Sequence, residues 1–145
     1  MRVVDANVLL YAVDADSEHH ESARTWLDDS LGGADSIGMS WIALLAFVRI
    51  ATKIDIFPNP LPVSEALVQV DDWITAPGAQ LVHPTSGHHR VLGALLEQVG
   101  SGGNLVNDAH LAAIAIEHRA TVVSYDADFG RFAGVRWERP DDLIR

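Results

Sequence analysis

The sequence contains no cysteine, which excludes disulfide bridges and thiolate metal sites. Bases are scarce. Ten lysines and arginines stand against twenty acids, and the formal charge is −10. That balance argues against a broad electrostatic grip on nucleic acid, which needs a basic patch. It is compatible with binding of divalent cations or of a basic protein, and equally with an acidic surface that serves only solubility. Long apolar runs are also missing, so no membrane span is expected. The opening MRVVDANVLLYAVDAD meets acids on both sides of its apolar stretch. It lacks the basic start and small-residue cleavage site of a secretion signal, so a cytoplasmic protein is expected.

What the chain does have is apolar residues in quantity, 48% of 145. That fits one domain, residues 1–145, with a real hydrophobic core. Short β-prone runs are expected to form strands at Arg2–Val4, Ser36–Met39, Ala79–His83, Thr121–Ser124 and Val135–Glu138. Between them, apolar residues recur at helical spacing. Helices are expected over Glu18–Leu31, after caps at Asp16 and Ser17, and from Ser40 through Trp41, Leu44, Leu45 and Val48. Three more follow at Ala66–Ile74, Ser86–Val99 and Leu105–His118. The triple-proline stretch IFPNPLPVS and the run GSGGN read as loops. Alternation of this kind implies an α/β fold: a central parallel sheet of about five strands flanked by helices. Ligands then sit at the carboxyl ends of the strands.

Acids fall at that edge. Asp5 ends the first strand, and Asp126 and Asp128 follow the fourth in TVVSYDADFGRF. Asp108 lies near the start of the helix before that strand, and joins them only if its helix begins on the same edge. Each acid alone has a bland reading. Asp5 or Asn7 suits a helix cap, Asp108 suits a helix dipole, and Asp126 suits an Asx-turn. Gathered together, carboxylates repel, and a hard cation such as Mg²⁺ or Mn²⁺ is the usual remedy. Such an ion acidifies water and stabilises charge on phosphate, which points to metal-assisted phosphodiester hydrolysis.

The segments DANVLLYA, NDAHLAAIAIEH and SYDADFGRF resemble the PIN domain, and more narrowly the VapC-type toxins of bacterial toxin–antitoxin pairs. HHESARTWLDDSL, SWIALLAFVRIAT and GVRWERP match in order and length, so the resemblance spans nearly the whole chain. It implies a five-stranded parallel sheet and Mg²⁺- or Mn²⁺-dependent endoribonuclease activity. It also implies a homodimer and an antitoxin whose tail enters the active-site groove. By the same resemblance Asp5, Asp108 and Asp126 bind metal and carry the reaction, with Asn7, Ser124 and Asp128 in support. One departure stands out. Many relatives carry a glutamate about three residues before the arginine of WIALLAFVRIAT, where this chain has Ala46 before Arg49. Fewer ligands favour a single ion completed by water over a tight pair, with Asp128 as a compensating ligand. A PIN-fold module that only binds RNA or protein is the alternative.

Other residues are set aside. The pairs His19-His20 and His88-His89 make poor chelates on a helix and are expected at the surface. His110 is turned away from Asp108, and Glu117 is expected to be exposed. Trp26, Trp41 and Trp73 are expected to pack in the core. Stripes around Leu27 and Leu44 suit either the core or a dimer face. Arg49 and Lys53, four apart on one helix face, suit RNA phosphates or surface acids equally. GSGGN lacks the lysine of a phosphate loop, and no G-x-S-x-G is present. A haloacid-dehalogenase-like D-x-D reading fails because Asn7 stands where the second aspartate belongs.

Overall fold

In the computed structural model, which describes residues 1–144, five strands form one parallel sheet in the order β3-β2-β1-β4-β5. They are β1 (Arg2–Val4), β2 (Ile37–Met39), β3 (Ala79–Leu81), β4 (Thr121–Val123) and β5 (Trp137–Glu138). Six α-helices accompany them: α1 (Ala6–Val13), α2 (His20–Asp29), α3 (Trp41–Ala51), α4 (Val63–Ile74), α5 (His88–Val99) and α6 (Leu105–Glu117). The expected α/β architecture is therefore present. No helix among the described residues is long and apolar enough to cross a membrane.

The two central strands are buried on both faces, as a covered parallel sheet requires. Side chains alternate along a strand, so Val4 and Val123 face one way while Val3 and Val122 face the other. The first face packs Val8, Leu27, Leu44, Phe47 and Trp73 of α1 to α4 into one core. Phe47 and Trp73 meet edge to face at 4.7 Å, the arrangement favoured by ring quadrupoles. The second face is covered by α5 and α6. Ala109, Ala112, Ala113 and Ala115 of α6 are all buried there, and their small side chains let the helix backbone approach closely.

Several expectations are corrected. Residues 6–13, read only as a possible cap, form α1, whose N-cap is Asp5. Helix α2 begins at His20 because Ser17 closes a turn, its hydroxyl accepting the His19 N–H at 3.1 Å. Trp41 is 44% exposed and Leu45 is 61% exposed, whereas Leu27 and Leu44 are fully buried. The apolar surplus is thus carried by Trp41 and Leu45 of α3 with Val63, Leu67 and Val68 of α4, and not by the stripes around Leu27 and Leu44.

Gly78 closes the turn between α4 and β3. Its N–H donates to the Leu31 carbonyl, and its own carbonyl accepts the Ile37 N–H. A side chain there would collide with the carbonyl oxygens of Ser30, Asp35 and Leu31. Backbone atoms cannot swing aside as a flexible side chain does. Gly78→Ala is therefore expected to destabilise the fold by about 2–3 kcal/mol, the cost of a strained insertion. A urea unfolding curve checks this, and an unchanged midpoint would show that the turn relaxes freely.

Candidate active site

The strand order reverses between β1 and β4. Val4 pairs with Val123, so the next residues, Asp5 and Ser124, emerge side by side at the carboxyl edge. The Asp5 N–H donates to the Val123 carbonyl at 3.0 Å and locks that register. Ser124 is completely buried, and its hydroxyl organises the edge. It donates to Asp5 Oδ2 at 2.7 Å and accepts from Asn7 Nδ2 at 3.0 Å and from the Asp126 N–H at 2.9 Å. Asn7 Oδ1 in turn accepts the Tyr125 N–H at 3.1 Å. Asp5 Oδ1 caps α1 through the Ala6 N–H at 2.8 Å. Asp126 Oδ1 accepts the Asp128 N–H at 2.9 Å and opens a 3-10 turn over Ala127–Arg131. The capping and Asx-turn readings are thus correct as local structure. They also fix where the carboxylates stand.

Asp108 occupies the first turn of α6. It offers one carboxylate oxygen that lies, with one each from Asp126 and Asp128, in a group whose members are all within 4.8 Å of one another. The open condition on α6 is met, since its first turn sits at the carboxyl edge beside Asp126. Asp5 stands outside this group of three, its oxygens turned to Ser124 and Ala6. Its charge still reaches them. Burial, the charge of Asp126, then those of Asp5 and Asp128, push the Asp108 carboxyl up to about 6. Asp5 is also raised, first by burial and further by Asp126, against the lowering effect of its Ser124 and Ala6 bonds. Carboxylates crowded this way favour a proton or a cation between them.

The donor set fits a hard divalent ion. Ligand oxygens on opposite sides of Mg²⁺ stand roughly 4 Å apart, given Mg–O distances of about 2.1 Å. One oxygen each from Asp108, Asp126 and Asp128 lies within 4.8 Å of the others, so small side-chain adjustments bring all three onto one ion. Oxygen donors alone, with no thiolate in the chain, suit a hard divalent cation better than a softer metal. The Asp128 side chain is half exposed, which leaves that side of the group open to water and to ligand.

The family model described as PIN domain matches residues 2–135. The chain belongs to the PIN domain family. Among curated relatives it is 60% identical over 144 residues to "Ribonuclease VapC37" of Mycobacterium tuberculosis, covering 99% of this chain and 100% of that one. It is 36% identical over 140 residues to "Ribonuclease VapC33" of the same species, covering 97% and 98%. The fold is shared with VapBC2 from Rickettsia felis, solved with a promoter DNA fragment. That match has a TM-score of 0.69 at 22% identity and covers 95% of this chain and 97% of that one. VapC20 of Mycobacterium tuberculosis, described as a sarcin-ricin loop cleaving toxin, matches with a TM-score of 0.68 at 15% identity, covering 94% and 99%.

Within this PIN domain, other sequence readings need revision. Lys53 is not on a helix face with Arg49, because α3 ends at Ala51 and Thr52 caps it by bonding back to the Val48 carbonyl. Helix α3 also starts at the carboxyl edge and runs away from it. Arg49 lies roughly 13 Å along the axis from Ser40 at about 1.5 Å per residue. Among the described residues neither base forms an ion pair with Asp5, Asp108, Asp126 or Asp128. Glu117 is not exposed. Only 4% of its side chain is accessible, and it accepts from the Thr85 N–H and hydroxyl, both at 2.7 Å, and from His88 Nδ1 at 2.6 Å. Burial pushes its carboxyl up, yet these bonds outweigh burial and hold it below the ordinary value. His88 is correspondingly half-buried, and its Nε2 meets His110 Nδ1 at 2.8 Å. This chain of groups ties α5 to α6 and bears no relation to residue spacing along one helix.

Proposed function

We propose that this PIN domain is a divalent-metal-dependent endoribonuclease toxin that hydrolyses RNA phosphodiester bonds and is neutralised by a cognate antitoxin. The observation that carries the reading is the carboxylate group of Asp108, Asp126 and Asp128, beside Asp5, at the switch point of the sheet. High identity over the full length of a ribonuclease of the VapC class supports it.

The residues present divide the work. Asp108, Asp126 and Asp128 would hold a Mg²⁺ or Mn²⁺ ion directly. Asp5 would add negative charge and a further oxygen, while Asn7 and Ser124 fix its orientation and that of Asp126. When bound, such an ion supplies acidity to water and neutralises charge growing on phosphate oxygens. Asp108, raised to about 6, is able to exchange a proton near neutral pH as charge in the site changes. Ala46 supplies no oxygen where many relatives place a glutamate, and the half-exposed Asp128 is the compensating ligand in this reading.

An apolar band on α3 and α4 supports a protein partner. Trp41, Leu45, Val63, Leu67 and Val68 are all exposed. Water-facing aromatic and aliphatic groups gathered on neighbouring helices mark interaction surfaces. The antitoxin and a second copy of the chain are the expected occupants.

Cleavage of a total RNA pool tests the reading, with Mg²⁺, Mn²⁺ or EDTA present and Asp126→Ala protein as control. Cutting is expected with either ion, none with EDTA, and none by Asp126→Ala. A folded chain that cuts nothing under any ion, and binds no Mg²⁺ by calorimetry, would favour the RNA- or protein-binding module.

A further inference from the structure

We infer that Arg139 and the Tyr125 ring form an RNA-holding subsite beside the carboxylates, in which the guanidinium takes a backbone phosphate and the neighbouring rings take an unpaired base. The inference rests on the ribonuclease reading above and concerns residues that reading leaves without a role.

Tyr125 lies between Ser124 and Asp126, and its N–H is bonded to Asn7. Its ring is therefore held by the frame that holds the carboxylates. The ring stacks on His19 with centroids 4.2 Å apart and planes 23° from parallel. Tyr11 meets it edge-on at 5.3 Å, and the Tyr125 hydroxyl donates to Asp141 at 2.9 Å. Three rings from α1, the turn before α2 and the end of β4 thus form one patch on the α1 side of the site.

Arg139 closes the patch. It is the residue after β5, and the Ser124 N–H bonded to the Glu138 carbonyl places it on the carboxyl edge. Its guanidinium carbon sits over the Tyr125 ring at 5.2 Å, a cation–π geometry. Its Nε is buried and has no hydrogen-bond partner. Among the described residues its guanidinium forms no ion pair, although acids outnumber bases two to one. Arg2, Arg24 and Arg131 each find a carboxylate, while among the same residues Arg49, Lys53, Arg90, Arg119 and Arg136 share with Arg139 the lack of an ion pair, and what sets Arg139 apart is its place over the Tyr125 ring. That Nε is closed to solvent, so a ligand would be met by the two terminal guanidinium nitrogens, which form no hydrogen bond among the described residues and belong to a side chain that is only partly buried. The ring beneath pre-orients a planar, two-pronged donor, which matches the oxygens of a phosphodiester.

The ligand class follows from the neighbours. The carboxylates act on one phosphodiester, and the strand must continue past it over one side of the edge. Arg139 is a cation on that edge, held over Tyr125 and without a carboxylate partner among the described residues. Aromatic and imidazole faces beside it suit an unstacked base, the usual way single-stranded RNA is gripped. A duplex would present its bases to one another and leave the rings unused.

The test compares wild type, Arg139→Gln and Arg139→Lys on a short fluorescent single-stranded RNA of mixed sequence. Cleavage kinetics and the salt dependence of binding, with Ca²⁺ replacing Mg²⁺, are measured. Arg139→Gln is expected to raise KM and Kd by about tenfold while kcat changes little, and to lower the salt slope by about 0.7, one single-strand phosphate contact. Arg139→Lys is expected to recover the slope but not the full affinity, because lysine lacks the planar fork. Equal melting temperatures exclude a folding effect. KM, Kd and slope unchanged within about twofold would overturn the subsite, since losing one phosphate contact moves all three. So would a loss confined to kcat, or a loss of affinity for a partner protein with RNA binding intact. A wild type that neither binds nor cleaves any RNA would instead overturn the ribonuclease reading itself.

Discussion

Asp5→Asn is expected to lower metal-dependent RNA cleavage by about a thousandfold or more while the protein stays folded. The size follows from the charge removed. Loss of a carboxylate from a metal site forfeits several kcal/mol of charge stabilisation, and about 1.4 kcal/mol corresponds to each tenfold in rate. Asparagine keeps an oxygen for the Ala6 N–H, so the α1 cap survives. Asp5→Ala removes that cap at a cost of about 1 kcal/mol. It also relieves a buried carboxylate raised by its surroundings, so the net change in stability is small. The pair of variants separates charge from architecture, read by cleavage rate and by denaturant unfolding. Cleavage by Asp5→Asn within tenfold of wild type would confine Asp5 to holding Ser124 and capping α1.

Asp108→Asn is expected to stabilise the metal-free protein at pH 7.5 and to abolish its response to Mg²⁺. The sign follows from linkage. Burial and the neighbouring acids push the folded carboxyl up to about 6, above its ordinary value of 3.8, so the folded state holds its proton more tightly than the unfolded chain does. Above that pH the group is ionised in both states, and the folded state carries the penalty in full. As pH falls through 6 towards 4, the folded state is protonated first and the penalty disappears. Asparagine has no such penalty at any pH. Solvent screening and loss of the helix-dipole interaction reduce the gain, leaving about 1 kcal/mol at neutral pH. Unfolding in EDTA should therefore show the variant more stable at pH 7.5 and equal to wild type near pH 4. Metal binding must displace the same proton, so wild-type Mg²⁺ affinity should drop by as much as about tenfold per pH unit below 6. A metal-free variant less stable than wild type at pH 7.5 would mean that Asp108 is held chiefly as a helix-start residue.

Residues that act through their position in a single element were legible. Asp5 and Asp126 were assigned to one edge because both follow strands of a parallel sheet, and the edge does bring them together. Ser40, where the sequence places the start of a helix, caps α3 by accepting the Ala43 N–H. Trp41 misled because a wide apolar stripe exceeds what one core face covers, and periodicity does not say which part remains outside. Lys53 misled because helix ends depend on a local cap, here Thr52 bonding back to Val48.

Groups joined across elements left no trace in residue spacing. Glu117, His88 and Thr85 lie as much as 32 positions apart and meet only because α5 docks along α6. Arg139 meets Tyr125 only because β5 pairs with β4, and His19 joins them from the turn before α2. By itself the sequence determined the alternation of strands and helices, the two-sided burial of the sheet and the edge on which its acids collect. Each of those follows from local periodicity and the direction of a strand. Only the tertiary structure decided that α6 starts at that edge, that Asp128 stands with Asp108 and Asp126, and that Arg139 sits over the Tyr125 ring on the same edge. Those outcomes depend on how separate elements dock, which is set by packing over the whole core and not by any single segment.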